Sequence, residues 1–311
     1  MKHLYFKEVY IERDIKNLRQ TDSILKRLKP KSVNLIRDIR DIRLKGNNLN
    51  TTIGLSKKVL FLAKQRGNFI KKFFENKNLI NCSEYRIDLI SGCIFDCAYC
   101  YLQSYLENHI ISIYVNLNNF KNEFLRLKRQ VNLKKSLFTT GELSDSLALE
   151  WLSGYTKFLA EIFSEEDLKL ELRTKSSETE LFSKNAFNKK NLVVHWTVNP
   201  DYLIKYIEYR TPTLRERLSA FRKAQEMGFK TGIRLDPIFH IKDWEEKYRT
   251  LINYIYNSIG QECSIDYSLG CFRYTKELKK IIQMRFKNIK ILDDEFIKCE
   301  DGKFRYFRDY D

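Results

Sequence analysis

Three thiols stand close together in Gly92-Cys93-Ile94-Phe95-Asp96-Cys97-Ala98-Tyr99-Cys100-Tyr101. The spacing CxxxCxxC follows a candidate strand at 86–90 and puts three thiolates on one loop, where they can hold three irons of a 4Fe–4S cube. The nearest other cysteine, Cys82, lies on the far side of that strand, so one iron stays open. An open iron suits the amino and carboxylate groups of S-adenosylmethionine. Electron transfer from the cluster then breaks the sulfonium bond and releases a 5′-deoxyadenosyl radical. An aromatic residue just before the third cysteine, here Tyr99, lies against the adenine in such loops. The plainer alternatives are a zinc site or free buried cysteines. Zinc takes four tight ligands, usually from paired CxxC knuckles, and Cys82, Cys263, Cys271 and Cys299 offer no second pair.

The elements that must position this loop show as an alternation. Short β-branched runs at 86–90, 111–116, 136–140, 169–174, 192–197, 230–235 and 264–269 are separated by helical patterns. Ala148, Trp151, Leu152, Tyr155, Leu159 and Ile162 share one helical face; Thr213 with Glu216 forms a capping box that opens a helix ending at Gly228. Asp243 with Glu246 opens another, which ends near Gly260. Strands joined by single helices predict right-handed crossovers and a parallel sheet, here an α/β fold with a partial (β/α)6-type barrel and its chemistry at the carboxyl ends of the strands. Residues 1–80, with a strand at 5–11 and a helix at 15–28, read as an N-terminal accessory α/β layer. Residues 81–275 form the barrel, and 276–311 a basic C-terminal helix with a short β extension.

Composition narrows the function classes. The 311 residues are 43% apolar and 14% aromatic, enough for a sizeable core and against a disordered chain. Seven cysteines in so long a chain do not make a disulfide scaffold. No apolar run approaches the ~20 residues of a membrane helix, and Met1-Lys2-His3-Leu4 leads into no signal-peptide core, so a cytoplasmic globular protein with no membrane role is expected. The net charge of +16, concentrated at 26–31, 126–135 and 276–290, makes a polyanion such as DNA a plausible partner, against the plainer reading of a lysine-rich solvated surface.

The cysteine loop resembles that of the radical S-adenosylmethionine superfamily, and the chain as a whole resembles its spore photoproduct lyase family. The resemblance rests on Val9-Tyr10-Ile11-Glu12, the loop itself, Tyr114-Val115-Asn116-Leu117, Leu143-Ser144-Asp145 and Leu172-Arg173-Thr174-Lys175-Ser176. It continues through His195-Trp196-Thr197-Val198-Asn199-Pro200, Arg210-Thr211-Pro212, Asp236-Pro237-Ile238-Phe239-His240, Tyr267-Ser268-Leu269-Gly270 with Phe272-Arg273, and Gly302-Lys303-Phe304-Arg305-Tyr306-Phe307. It implies a partial radical SAM barrel, a 4Fe–4S cluster on Cys93, Cys97 and Cys100, and S-adenosylmethionine contacts from Tyr99, Ser144, Asp145, Lys175, Thr197 and Asn199. Lys175 would pair with the methionyl carboxylate. Ser144 or Asp145 as a helix cap, and Lys175 as a solvated strand-end lysine, are the plainer alternatives. His240 is a candidate substrate contact or simply a packed histidine.

The substrate implied by the resemblance is a methylene-bridged thymine dimer in DNA. Hydrogen is removed from carbon six of one base, the bridge fragments, and the resulting thyminyl radical must receive a hydrogen atom. In the family a cysteine supplies it, with tyrosines resembling Tyr99 and Tyr101 as a relay. Here Glu142 stands at that position, and a carboxyl group is no comparable donor. Tyr101, Tyr99 or Cys271 are the candidate replacements, Cys271 otherwise being a small buried hydrophobe. Arg273 resembles a lesion-side arginine. Arg305 and Tyr306 resemble a hairpin that fills the duplex space left by an extruded lesion, although with the last residue at 311 the hairpin's return strand looks short, and a terminal edge strand is the alternative. An electron donor such as a flavodoxin or ferredoxin is expected. Three functions compete: the lyase itself, a radical enzyme of the same scaffold with a different nucleic-acid substrate, and a nucleic-acid-binding protein with a structural cluster.

Overall fold

The computed structural model describes residues 6–44, 46–73, 83–134, 136–166, 168–180, 189–259 and 265–307. Cys82 and Cys263 lie outside the described residues. The chain divides into two compact units. The first comprises Met1–Ile94, Asn108–Thr174 and Glu180–Val193; the second comprises Phe95–Glu107, Lys175–Thr179 and Val194–Asp311.

In the first unit, parallel strands Asn34–Ile36, Glu8–Glu12, Val59–Ala63 and Ile111–Tyr114 lie side by side in that order, with Ile90–Ser91 antiparallel at the edge. The run at 111–116, expected in the barrel, therefore belongs to the N-terminal sheet. A β-branched run shows that a strand forms, but not which neighbour it pairs with. The barrel strands of this unit are Lys169–Thr174, Leu137–Thr140 and Glu84–Ile87, all parallel, with Ile70–Lys72 antiparallel beside the last. Leu117–Gln130 is the helical connection into Leu137–Thr140, and it buries Phe120 and Phe124. Phe138 on that strand packs 6.1 Å from Phe124 and 4.9 Å from Phe163 of the next helix.

The helix expected along Ala148 to Ile162 is broken into Glu150–Ser153 and Tyr155–Glu165. Gly154 causes the break: its φ of 67° is open to glycine at no steric cost, and a Cβ there would lie 2.9 Å from the Arg27 guanidinium. Arg27 uses that closeness to donate to the Leu152 carbonyl at 2.8 Å. The expected N-terminal helix is likewise shorter, a 3-10 turn at Arg13–Ile15 followed by Arg19–Leu28.

In the second unit Lys230–Ile238 lies between Leu192–Thr197 and Asp266–Cys271, parallel to the latter. The helix Leu214–Glu226 carries the expected Thr213–Glu216 capping box and is followed by Gly228 at φ 79°. Asp243, expected to cap Trp244–Ile259, instead has φ 56°, outside the extended conformation of a capping residue, and its carboxylate lies 3.5 Å from Lys247. Beyond the helix Lys276–Arg285, an antiparallel sheet orders Arg273–Tyr274, Phe304–Tyr306 and Phe296–Lys298, stacking Tyr274 on Phe304 and Phe296 on Tyr306. Among the described residues no helix is long and apolar enough to cross a membrane.

Candidate functional site

The cysteine loop starts with a backbone turn that only glycine fits. Gly92 has φ 86°, a Cβ there would lie 2.7 Å from the Ile110 carbonyl oxygen, and its N–H donates to Leu143 O at 2.9 Å. The carbonyl of Cys93 accepts a hydrogen bond from Lys57 Nζ at 2.9 Å. Further on, Asp96–Cys97 pairs antiparallel with Glu208–Tyr209, and Ala98 N–H donates to Ile207 O at 2.7 Å. Gln103 Nε2 donates to the carbonyls of Cys97 and Ala98, at 3.2 and 2.6 Å.

Cys93, Cys97 and Cys100 form no disulfide; Cys97 is buried, the other two partly exposed. An all-thiol donor set on a loop held by backbone bonds fits the iron–sulfur cluster.

Around Tyr99 the second unit builds a buried polar network. The Tyr99 hydroxyl donates a short hydrogen bond to Glu208 Oε1. Asn199 Nδ2 donates to the same oxygen at 2.9 Å while its own Oδ1 accepts from Tyr248 at 3.1 Å. Arg217, fully buried, donates to Glu208 Oε2 at 2.5 Å, to Thr197 O at 2.9 Å and to Pro212 O at 3.0 Å. Lys175 Nζ stands 5.7 Å from the centre of the Tyr99 ring. Burial pushes the Tyr99 phenol far above its ordinary range, and the Glu208 charge adds to this. Burial also works against the charge on Glu208, but Arg217 and Lys175 outweigh it and hold the carboxyl below its usual range.

Tyr99, Lys175, Thr197 and Asn199 are thus gathered in one network. Sequence reasoning missed Glu208, Arg217 and Tyr248. The signal lay beside Arg210-Thr211-Pro212, since Glu208 precedes that segment and Arg217 bonds Thr211 Oγ1 at 2.6 Å.

In the first unit Ser144 and Asp145 line a pocket with Thr140, Gly141 and Tyr155. Asp145 Oδ1 accepts from the N–H groups of Leu147 and Ala148 at 3.0 and 2.9 Å and from the Thr174 hydroxyl at 2.7 Å, so this oxygen serves as a cap. Glu142, the residue in the donor position, meets Arg173, whose guanidinium also binds Glu84 and Glu171. Burial disfavours the charge on Arg173, yet Glu171, Glu142 and Glu84 together raise its pKa above the usual range.

Toward the C-terminus, Cys271 is partly exposed, and Arg273 Nη1 reaches both the Cys271 carbonyl and Asp236 Oδ1 at 3.2 Å. His240 Nδ1 makes a short contact with Asp294, and the His240 ring lies 5.7 Å from that of Trp244. The terminal-edge alternative is overturned. Phe296–Lys298 supplies the partner strand, so Phe304–Tyr306 sits in the middle of its sheet and is no terminal edge. Tyr306 is only 4% exposed and its hydroxyl accepts from His240 N–H at 3.1 Å, so its ring belongs to the core of this sheet. Alternation decides this, because in a three-residue strand Arg305 faces away from Phe304 and Tyr306. Arg305 binds Asp301 at 2.7 Å through both guanidinium nitrogens. Tyr101 is 40% exposed, with its ring 5.7 Å from that of Tyr105.

An α/β chain with an all-thiol loop of this spacing, backed by a buried aromatic and a lysine, is a radical S-adenosylmethionine enzyme. The family model described as spore photoproduct lyase matches residues 6–309, and the chain belongs to that family. Its cofactors are accordingly a 4Fe–4S cluster and S-adenosylmethionine. The chain is 26% identical over 257 residues to the spore photoproduct lyase of Clostridium acetobutylicum, covering 76% of this chain and 75% of that protein. It is 28% identical over 227 residues to that of Bacillus subtilis, covering 71% and 66%. In fold it is similar to a solved spore photoproduct lyase complexed with dinucleoside spore photoproduct, with TM-score 0.87 and 24% identity over 99% of this chain and 92% of that one. A substituted spore photoproduct lyase with bound AdoMet and dinucleoside spore photoproduct gives TM-score 0.84 at 21% identity over 98% and 92%. The partial barrel expected from the sequence is the fold these likenesses show.

Proposed function

We propose that this chain reverses the methylene-bridged thymine dimer in DNA, working in the cytoplasm with a flavodoxin- or ferredoxin-type electron donor. One observation carries the reading: the thiol loop is intact and built into the fold in a chain that matches the lyase family from residue 6 to residue 309. The bound cofactors supply a 5′-deoxyadenosyl radical. Cys93, Cys97 and Cys100 would hold the cluster. Tyr99, fixed by Glu208 and flanked by Lys175, offers a rigid ring face beside a cation, suited to an adenine and a carboxylate. Ser144 and Thr197 bring hydroxyls, while Asn199 acts through Glu208 and Tyr248. The +16 charge favours a polyanionic substrate, with Arg273 and Arg305 among the cations that the C-terminal sheet presents at its surface.

A second reading, a different nucleic-acid substrate on the same scaffold, is favoured by Glu142, whose carboxylate is taken up by Arg173 and can donate no hydrogen atom. Anaerobic reconstitution followed by turnover with a photoproduct-containing oligonucleotide separates the two. The first reading expects about four irons per chain, 5′-deoxyadenosine and restored thymine. Iron and 5′-deoxyadenosine without thymine would favour the second, and zinc alone would end both.

A further inference from the structure

The basic C-terminal helix Lys276–Arg285 ends on a cation that never reaches water. The Arg285 side chain is 0% exposed, and one guanidinium nitrogen donates to Asp96 Oδ2 at 2.8 Å. Asp96 is the residue just before Cys97, inside the thiol loop. Arg285 Nη1 also makes a short hydrogen bond to Gln103 Oε1, and the amide nitrogen of that same Gln103 holds the carbonyls of Cys97 and Ala98. The Phe286 ring covers the guanidinium, 4.7 Å from centroid to Cζ. It also stacks 5.4 Å from Tyr209, the residue opposite Asp96 in the strand pair.

Burying a guanidinium is costly unless its charge and donors are matched. Here they are matched by groups that belong to the loop. A lysine could neutralise Asp96 but could not reach Asp96 and Gln103 at once with a planar fork. The surface lysines of the same helix make no such demand, so this arrangement sets Arg285 apart from the general basic character of the segment.

We infer that Arg285 is a positioning residue for the iron–sulfur cluster. Through Asp96, and through Gln103 to the Cys97 carbonyl, it holds the middle of the loop in the shape that presents the thiolates, and it balances a buried carboxylate beside them. The inference rests on the cluster assignment above. Cluster retention and cluster potential then depend on a side chain far from the thiols in sequence.

The test uses the full chain, reconstituted anaerobically with iron and sulfide. Iron retention against a chelator, the visible cluster spectrum and the cluster midpoint potential are read beside a circular-dichroism melt. Arg285→Met is expected to retain iron about tenfold less well, the low end for partners that orient metal ligands. Asp96→Asn keeps the shape and an acceptor oxygen but leaves the Arg285 charge unmatched, so its melt falls as well, and its potential moves positive of the wild type. If Arg285→Met does not fold, the Asp96→Asn potential decides. Wild-type retention and potential in the variants overturn the inference, even if the melt of Arg285→Met is lower, because helix docking alone explains a lower melt. A wild-type chain that takes up no iron overturns the cluster assignment itself; one that loads normally beside indistinguishable variants overturns only the role of Arg285.

Discussion

Glu142 and Arg173 form an ion pair, with Oε1 of the carboxylate 2.5 Å from Nη1 of the guanidinium. The pair joins the segment after Leu137–Thr140 to the neighbouring strand Lys169–Thr174, and Glu84 and Glu171 complete the ring of acids around the same arginine. The family resemblance implies a hydrogen-donating cysteine at position 142. In this chain the position has become part of a charge cluster.

Glu142→Cys returns a thiol to that position. Arg173 keeps two carboxylates, so the stability loss should be about 1–2 kcal/mol in a urea melt. The ratio of restored thymine to 5′-deoxyadenosine should rise; an unchanged ratio would place the donor elsewhere. In the same assay Cys271→Ala should lower the ratio if Cys271 is the present donor, and a product distribution identical to wild type removes it from consideration.

Tyr306 and Arg305 should separate cleanly. Tyr306→Ala deletes a ring stacked 4.6 Å from Phe296 and should cost about 3–5 kcal/mol by chemical denaturation. Arg305 pairs with Asp301 at the surface, and its truncation should change stability by less than about 1 kcal/mol. A lesion contact by Arg305 would then appear as weaker, less salt-sensitive binding of a photoproduct oligonucleotide by a normally folded Arg305→Ala, and unchanged binding would exclude it.

Glu208→Gln leaves the Arg217 charge buried and unpaired. The expected destabilisation is about 3–5 kcal/mol, and the double variant with Arg217→Met should recover part of it. Additive losses in that double-mutant cycle would show that the two side chains do not act as a pair.

Glu150 sets a pH dependence. Burial pushes its carboxyl up to about 7, against the hydrogen bonds from Thr156 that pull the other way. The unfolded chain therefore releases this proton near pH 4.5 and the folded chain only near 7. Its contribution is fully present below the lower value and is lost as pH rises through that window. Wild type should be about 1–3 kcal/mol less stable at pH 8 than at pH 5 from this group. Glu150→Gln should remove that difference, and identical pH profiles for the two proteins would refute the assignment.

Much of this was legible in the residues because it is local. The thiol loop depends on a motif of eight residues, the strand Lys169–Thr174 on alternating leucines and polar residues, the strand Leu192–Thr197 on an apolar run with two valines, and the Thr213–Glu216 cap on one helical turn. Even Glu142 was conspicuous, as a carboxylate where the resemblance calls for a thiol. Its attachment to Arg173 was not, since nothing in the spacing of the two positions says that their strands are neighbours.

The sequence by itself determined the chemistry this chain carries: which side chains can bind iron, which can donate hydrogen, and which cannot. Only the tertiary structure decided which of them are held, buried or exposed. Tyr99 meets Glu208 across 109 positions and Asp96 meets Arg285 across 189, while Tyr306 turns into a core that its own short strand does not announce. The physical reason is that periodicity and spacing report a residue's own element and face, whereas a buried charge or ring is stable only where another element supplies its partner.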